Sequence, residues 1–91
     1  MSTTIDLTLY TKPGCHLCEE ALEAIDLVVS EIKEKNSNDV QIELQELNIL
    51  EDEALLAAYA EEIPVLHING ETHAYWRIDK DRFREALEKL L

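Results

Sequence analysis

The chain is most informative first in what it has little of. Among 91 residues there are two cysteines, two prolines, two glycines and eight basic side chains, against twenty acidic ones. The net charge of −12 repels phosphate backbones and anionic lipid, so nucleic-acid and membrane-surface roles are not expected. No apolar run approaches the ~18 residues of a membrane span. Met1 to Asp6 holds neither a basic n-region nor an apolar h-region, so the expected address is the cytoplasm. Repeats, linkers and low-complexity tracts are absent, as are a phosphate-binding glycine loop, a Ser-His-Asp arrangement and a paired-carboxylate acid/base site.

What is present suffices for an ordinary core. The hydrophobic fraction is 46%, and the length lies well above the roughly 40 residues below which disulfides or metals are usually needed. One domain over residues 1–91, working as a monomer, is expected. Five of the basic residues (Arg77, Lys80, Arg82, Arg84 and Lys89) fall near the end, which leaves the middle strongly acidic.

Hydrophobic periodicity orders the elements. Ile5, Leu7 and Leu9 alternate with Asp6, Thr8 and Tyr10, which predicts a strand broken by Thr11-Lys12-Pro13-Gly14. Leu17, Ala21, Leu22, Ile25, Val28, Val29 and Ile32 form a helical stripe, ended by Asn36-Ser37-Asn38-Asp39. Val40 to Leu47 alternates again, with Val40, Ile42 and Leu44 inward. A short acidic helix is expected over residues 51–62, presenting Leu55, Leu56 and Tyr59 to the interior. Pro64 stops it. Val65 to Ile68 and Glu71 to Trp76 flank Asn69-Gly70, a strong type I′ hairpin signal, because both turn residues need positive φ. Asp79 caps a last helix whose apolar face is Phe83, Ala86, Leu87, Leu90 and Leu91. The order β-α-β-α-β-β-α implies an α/β fold with a parallel, right-handed β-α-β unit and an antiparallel hairpin.

Cys15-His16-Leu17-Cys18 lies where the first strand hands over to a helix. Three residues make nearly one helical turn, so both sulfurs can share one side and close a small disulfide ring. Cys18 continues the buried stripe, while Cys15 falls beside the unpaired N–H groups of the first turn, whose dipole favours a thiolate. An unperturbed thiol of pKa roughly 8.5 is only ~3% ionised at neutral pH, and such a setting lowers it to about 3.5–7.5. Cys15 is therefore the expected attacking thiol and Cys18 the resolving one. Glu19, Glu20 and Glu23 oppose the thiolate, and Lys12 is the one other nearby cation. His16 is expected to be exposed, with help to the thiolate in its protonated form as the alternative.

In a reducing compartment two cysteines this close read as catalytic or metal-binding. A zinc site would need further ligands. Pairing Ile68 with Glu71 would set His67 opposite Thr72 and His73 opposite Leu66, with the two imidazoles on opposite hairpin faces. Haem attachment needs histidine after the second cysteine, where Glu19 stands. Tyr75 and Trp76 are expected in core or edge packing, with partner docking second.

Residues 10–21, Tyr-Thr-Lys-Pro-Gly-Cys-His-Leu-Cys-Glu-Glu-Ala, together with Glu62-Ile63-Pro64-Val65-Leu66, resemble the glutaredoxin-like proteins, in particular the small branch with a Cys-His-Leu-Cys centre. The resemblance runs the length of the chain. It implies a thioredoxin-like fold with a four-stranded mixed sheet flanked by helices, and a cis Pro64 facing the cysteine pair. It also implies thiol–disulfide oxidoreductase activity on protein or small-molecule disulfides, with electrons from glutathione or a thioredoxin-type reductase and no bound cofactor. Ile63 would pair through its backbone with a bound thiol substrate, and Lys12 matches a lysine that meets a glutathione carboxylate. Two departures stand out. His-Leu replaces the usual Pro-Tyr, and Asn69-Gly70-Glu71-Thr72 replaces a Gly-Gly turn, so no glutathione contact beyond Lys12, Ile63 and Pro64 is implied. A sensing or interaction module without turnover, and metal or iron–sulfur binding through Cys15 and Cys18, remain as alternatives.

Overall fold

A computed structural model describes residues 3–36 and 40–91. Strand β1 (Thr3–Thr11) leads into helix α1 (His16–Asn36) and strand β2 (Val40–Asn48). A 3-10 turn (Ile49–Glu51) precedes helix α2 (Glu53–Tyr59), which is followed by β3 (Val65–Ile68), β4 (Glu71–Tyr75) and α3 (Lys80–Glu88). The sheet order is β2-β1-β3-β4. β1 and β2 run parallel, while β3 is antiparallel to both β1 and β4. This is the mixed four-stranded, thioredoxin-like arrangement that the resemblance implied. The expected helix stop at Ser37-Asn38-Asp39 lies outside the described residues.

Alternation along β1 assigns the two faces. Ile5, Leu7 and Leu9 are fully buried beneath α1 and α3, against Ile25, Val28, Ile32, Phe83 and Leu87. Each helix reaches this layer by its 3.6-residue period. Arg84 of α3 also donates to Glu31 of α1 at 2.8 Å, which ties the two helices across the surface. On the opposite face Tyr10 meets Tyr59 of α2, and a smaller cluster forms around Ile49, Ile63 and Cys18.

Several sequence expectations shift. Helix α2 ends at Tyr59 and buries no residue completely; Leu56 is exposed, because seven residues give too short a stripe to cover a sheet face. Leu44, on the edge strand β2, and Leu90 and Leu91, beyond α3, are exposed too, since no element lies over them. β4 closes at Tyr75, and Trp76 leaves the strand with φ +66°. Tyr75 on the edge strand and Trp76 just beyond it are half-exposed, so neither packs in the core. The hairpin turn is as expected, with Asn69 at φ +52° and Gly70 at φ +86°. A bulge near His67 sets Leu66 opposite Ala74 rather than His73. The two imidazoles nevertheless part: His67 meets Tyr10 and Tyr59, and His73 meets Phe83 on the other face.

Candidate active site

The site is assembled where β1 ends. Gly14, at φ +77°, turns the chain from β1 into α1, and the helix begins immediately after Cys15. Cys15 is thereby the cap residue: its carbonyl accepts from Glu19 N–H at 3.3 Å, and its Sγ accepts from Cys18 N–H at 3.1 Å. That N–H is one of the donors a helix start leaves without an intrahelical partner. The donor aimed at the disulfide sulfur is equally aimed at a thiolate once the pair is reduced.

Cys15 and Cys18 are joined as a disulfide, with Cα atoms 5.2 Å apart. Their surroundings differ. Cys15 is half-buried at the mouth of a cleft, while Cys18 keeps only 4% of its surface and packs with Ile49 and Ile63. Cys15 is thus reachable and Cys18 sheltered, as the helical phase of the sequence leads one to expect.

The cleft holds about 290 Å³ and includes Lys12, Pro13, Glu19 and Leu22. Lys12 is exposed on its rim. Ile63 joins the cluster that contains both cysteines, and the Ile63–Pro64 peptide bond is cis. The structure thus brings Cys15, Cys18, Lys12 and the Ile63–Pro64 segment to one end of the sheet. His16 is almost fully exposed, and its Nδ1 lies 3.8 Å from Glu19 rather than against a sulfur.

Two contributors escaped the sequence reading. Glu46 and Asn48 also line the cleft, because parallel pairing sets Glu46 beside Leu9 and Asn48 beside Thr11. Alternation through residue 48 puts both on one face, and the register against β1 carries them to the cleft. Tyr10 and Tyr59 stack with centroids 4.7 Å apart beneath the cysteine cluster. Burial, and then the neighbouring Tyr59, push the Tyr10 hydroxyl above its ordinary pKa, so it stays a neutral donor. Among the described residues, no three His, Cys, Asp or Glu side chains gather as a metal would require.

A sheet of this order with a Cys-x-x-C pair at the first helix start and a cis proline beside it defines a thioredoxin-fold thiol protein. The fold agrees with that of a mutant thioredoxin from Halobacterium salinarum, at 21% identity and a TM-score of 0.54, over 94% of this chain and 74% of that one. More specifically, residues 6–88 match the model of the Glutaredoxin-like domain (DUF836), and the chain belongs to that family. A structural-genomics target protein from X. campestris is 30% identical, with a TM-score of 0.65 over 91% of this chain and 96% of that one. An uncharacterized protein of Mycobacterium tuberculosis is 29% identical over 82 residues, which is 89% of this chain and 80% of the relative. No helix among the described residues is long and apolar enough to cross a membrane.

Proposed function

We propose that this protein is a dithiol exchanger that reduces protein or small-molecule disulfides. The observation that carries the reading is the Cys18 N–H directed at Cys15 Sγ at the start of α1, with Cys15 accessible and Cys18 enclosed. The Cys15 thiolate attacks one sulfur of the substrate disulfide and expels the other as a thiolate, leaving a mixed disulfide. Cys18, after losing its proton, attacks Cys15 Sγ and releases the second substrate thiolate. Two electrons pass to the substrate, and the protein ends as the Cys15–Cys18 disulfide. Ile63 and Pro64 offer backbone to align the substrate chain, and Lys12 offers its ammonium to a substrate carboxylate. Glutathione or a thioredoxin-type reductase supplies the electrons for the next cycle. The setting is the cytoplasm, and the working unit is a monomer that needs no bound cofactor, nucleic acid or membrane.

The test is a redox titration against reduced and oxidised glutathione, with free thiols trapped by alkylation and each state read by mass. A midpoint between about −180 and −270 mV is expected, the range spanned by thiol exchangers. Cys15→Ser should abolish insulin reduction, and Cys18→Ser should accumulate a mixed disulfide. A reversible disulfide with no turnover would point to sensing instead. No Cys15–Cys18 disulfide at any ratio would sink the dithiol mechanism.

A further inference from the structure

The cleft that holds the cysteines carries three charged side chains. Lys12 comes from the loop after β1, Glu19 from α1 and Glu46 from β2. Two carboxylates thus stand against one ammonium around the reacting sulfurs. They do not neutralise one another. Among the described residues no ion pair joins Lys12 to either carboxylate, and the side-chain partner of Glu19 is the well-exposed His16, 3.8 Å away.

Glu46 departs from the pattern of its own strand. Val40 and Ile42 share its face of β2 and are buried, and the register sets Glu46 beside the fully buried Leu9. A carboxylate therefore stands where that face reaches the cysteines. An edge strand gains protection from unwanted pairing by such a charge. Glu43 already supplies one on the other face of β2, so edge protection does not by itself call for a second at the cleft. The chain as a whole, at −12, adds a field of the same sign, and a walled cleft concentrates that field. At about 290 Å³ the cleft is at the small end for ligand sites, which suits the arm of a low-molecular-mass disulfide.

We propose that this cleft selects small disulfides whose arms end in ammonium groups, cystamine being the simplest, over those with carboxylate arms. The substrate class rests on the exchanger reading above. The Cys15 thiolate attacks one sulfur of cystamine and a first cysteamine leaves; Cys18 then closes on Cys15 and expels the second. The small disulfide takes up two electrons and two protons, and the dithiol protein becomes the Cys15–Cys18 disulfide. Glu46 and Glu19 hold the ammonium of the arm, while Lys12 alone is outnumbered as a counter-charge for carboxylates.

The test mixes fully reduced protein, at low salt, with cystamine, 2-hydroxyethyl disulfide or 3,3′-dithiodipropionate. Their arms are similar in length and end in a positive, a neutral and a negative group. Formation of the protein disulfide is followed by acid quench, alkylation and mass. Each rate is divided by that of dithiothreitol with the same disulfide, which removes differences in leaving-group reactivity. The normalised rates should fall by about tenfold from the cationic to the anionic disulfide, and the spread should shrink as salt is added. The cationic-to-anionic ratio should drop about threefold in Glu46→Gln and rise in Lys12→Gln. Glu71→Gln removes the same charge at the far end of the hairpin and should leave the ratio unchanged. All three positions are exposed, so the fold tolerates each change. Equal normalised rates, or the same drop in Glu46→Gln and Glu71→Gln, would overturn the proposal. Oxidation by none of the three disulfides would sink the exchanger reading and this inference with it; oxidation by all three without the order sinks the inference alone.

Discussion

The two faces of the sheet are built to different standards. On one, β1, α1 and α3 enclose Ile5, Leu9, Ile25, Val28, Phe83 and Leu87 with none of their surface left to water. On the other, α2 contributes half-buried Leu55 and Tyr59 and no fully buried residue. Burial of a large apolar side chain is worth roughly 1.5–3 kcal/mol, so most of the stability resides on the first face. The cysteines straddle the boundary: α1 is anchored in the dense layer, yet Cys18 and Ile63 belong to the thin one. A helix anchored in the dense layer thus presents the sulfurs, while Ile63 beside them packs in the smaller cluster.

Truncation gives the largest expected contrast. Phe83→Ala should cost about 3–5 kcal/mol, the usual range for an aromatic removed from a close-packed core. Leu55→Ala, on the thin face, should cost well under half as much, because the side chain is already partly hydrated. Urea denaturation of both variants measures the difference. Equal losses would mean that α2 shares the main core, and the comparison would fail.

Legibility in the sequence follows the same division. Where burial is complete the pattern spoke clearly: the β1 alternation, the α1 stripe, Phe83 and Leu87 on α3, and the Asn69-Gly70 turn all stand as expected. The different surroundings of Cys15 and Cys18 were readable too, since helical phase alone decides which sulfur faces inward. At the margins the pattern misled. Leu44, Leu56, Leu90 and Leu91 are apolar and correctly phased, yet exposed, because whether anything covers an edge strand or a helix end depends on tertiary neighbours. The bulge at the hairpin and the turn at Trp76 left no local mark. Glu46 came into the cleft through a strand register that no single segment encodes.

Capping sharpens the comparison at intermediate size. Asp79 accepts from Asp81 N–H and Arg82 N–H at the start of α3, and Asp52 accepts from Ala54 N–H and Leu55 N–H at the start of α2. Loss of either cap by alanine should cost about 1 kcal/mol locally. The consequences should separate. In Asp79→Ala the loss should appear in global unfolding, since α3 cannot detach without exposing Phe83. In Asp52→Ala much of it should appear as faster amide exchange confined to α2, because a helix with no buried residue can open alone. Uniform exchange changes in both variants would erase the distinction.

The smallest effect is expected on the acid side of neutrality, and it probes both faces at once. Burial lowers the pKa of His67, beside Tyr10 and Tyr59; burial and then Arg82 lower that of His73, beside Phe83. A depressed folded value means that the unfolded chain binds protons first as pH falls. Above about 6.5, the ordinary histidine value, both states are neutral and neither imidazole affects stability. As pH drops below it, the unfolded state gains protons the native state refuses, so stability declines until the folded values are passed. His67→Gln and His73→Gln should each flatten that decline while leaving stability at pH 7 to packing alone. The difference lies in what else each change disturbs. His73 touches the dense layer, so its replacement should also lower stability at neutral pH, whereas His67 rests on the thin face and meets Thr72 Oγ1 at 3.1 Å. Denaturation midpoints for both variants at pH 5 and pH 7.5 would separate the two contributions. A flattening that comes with a neutral-pH loss for His73 and without one for His67 would show the two faces differing in packing while sharing one proton linkage.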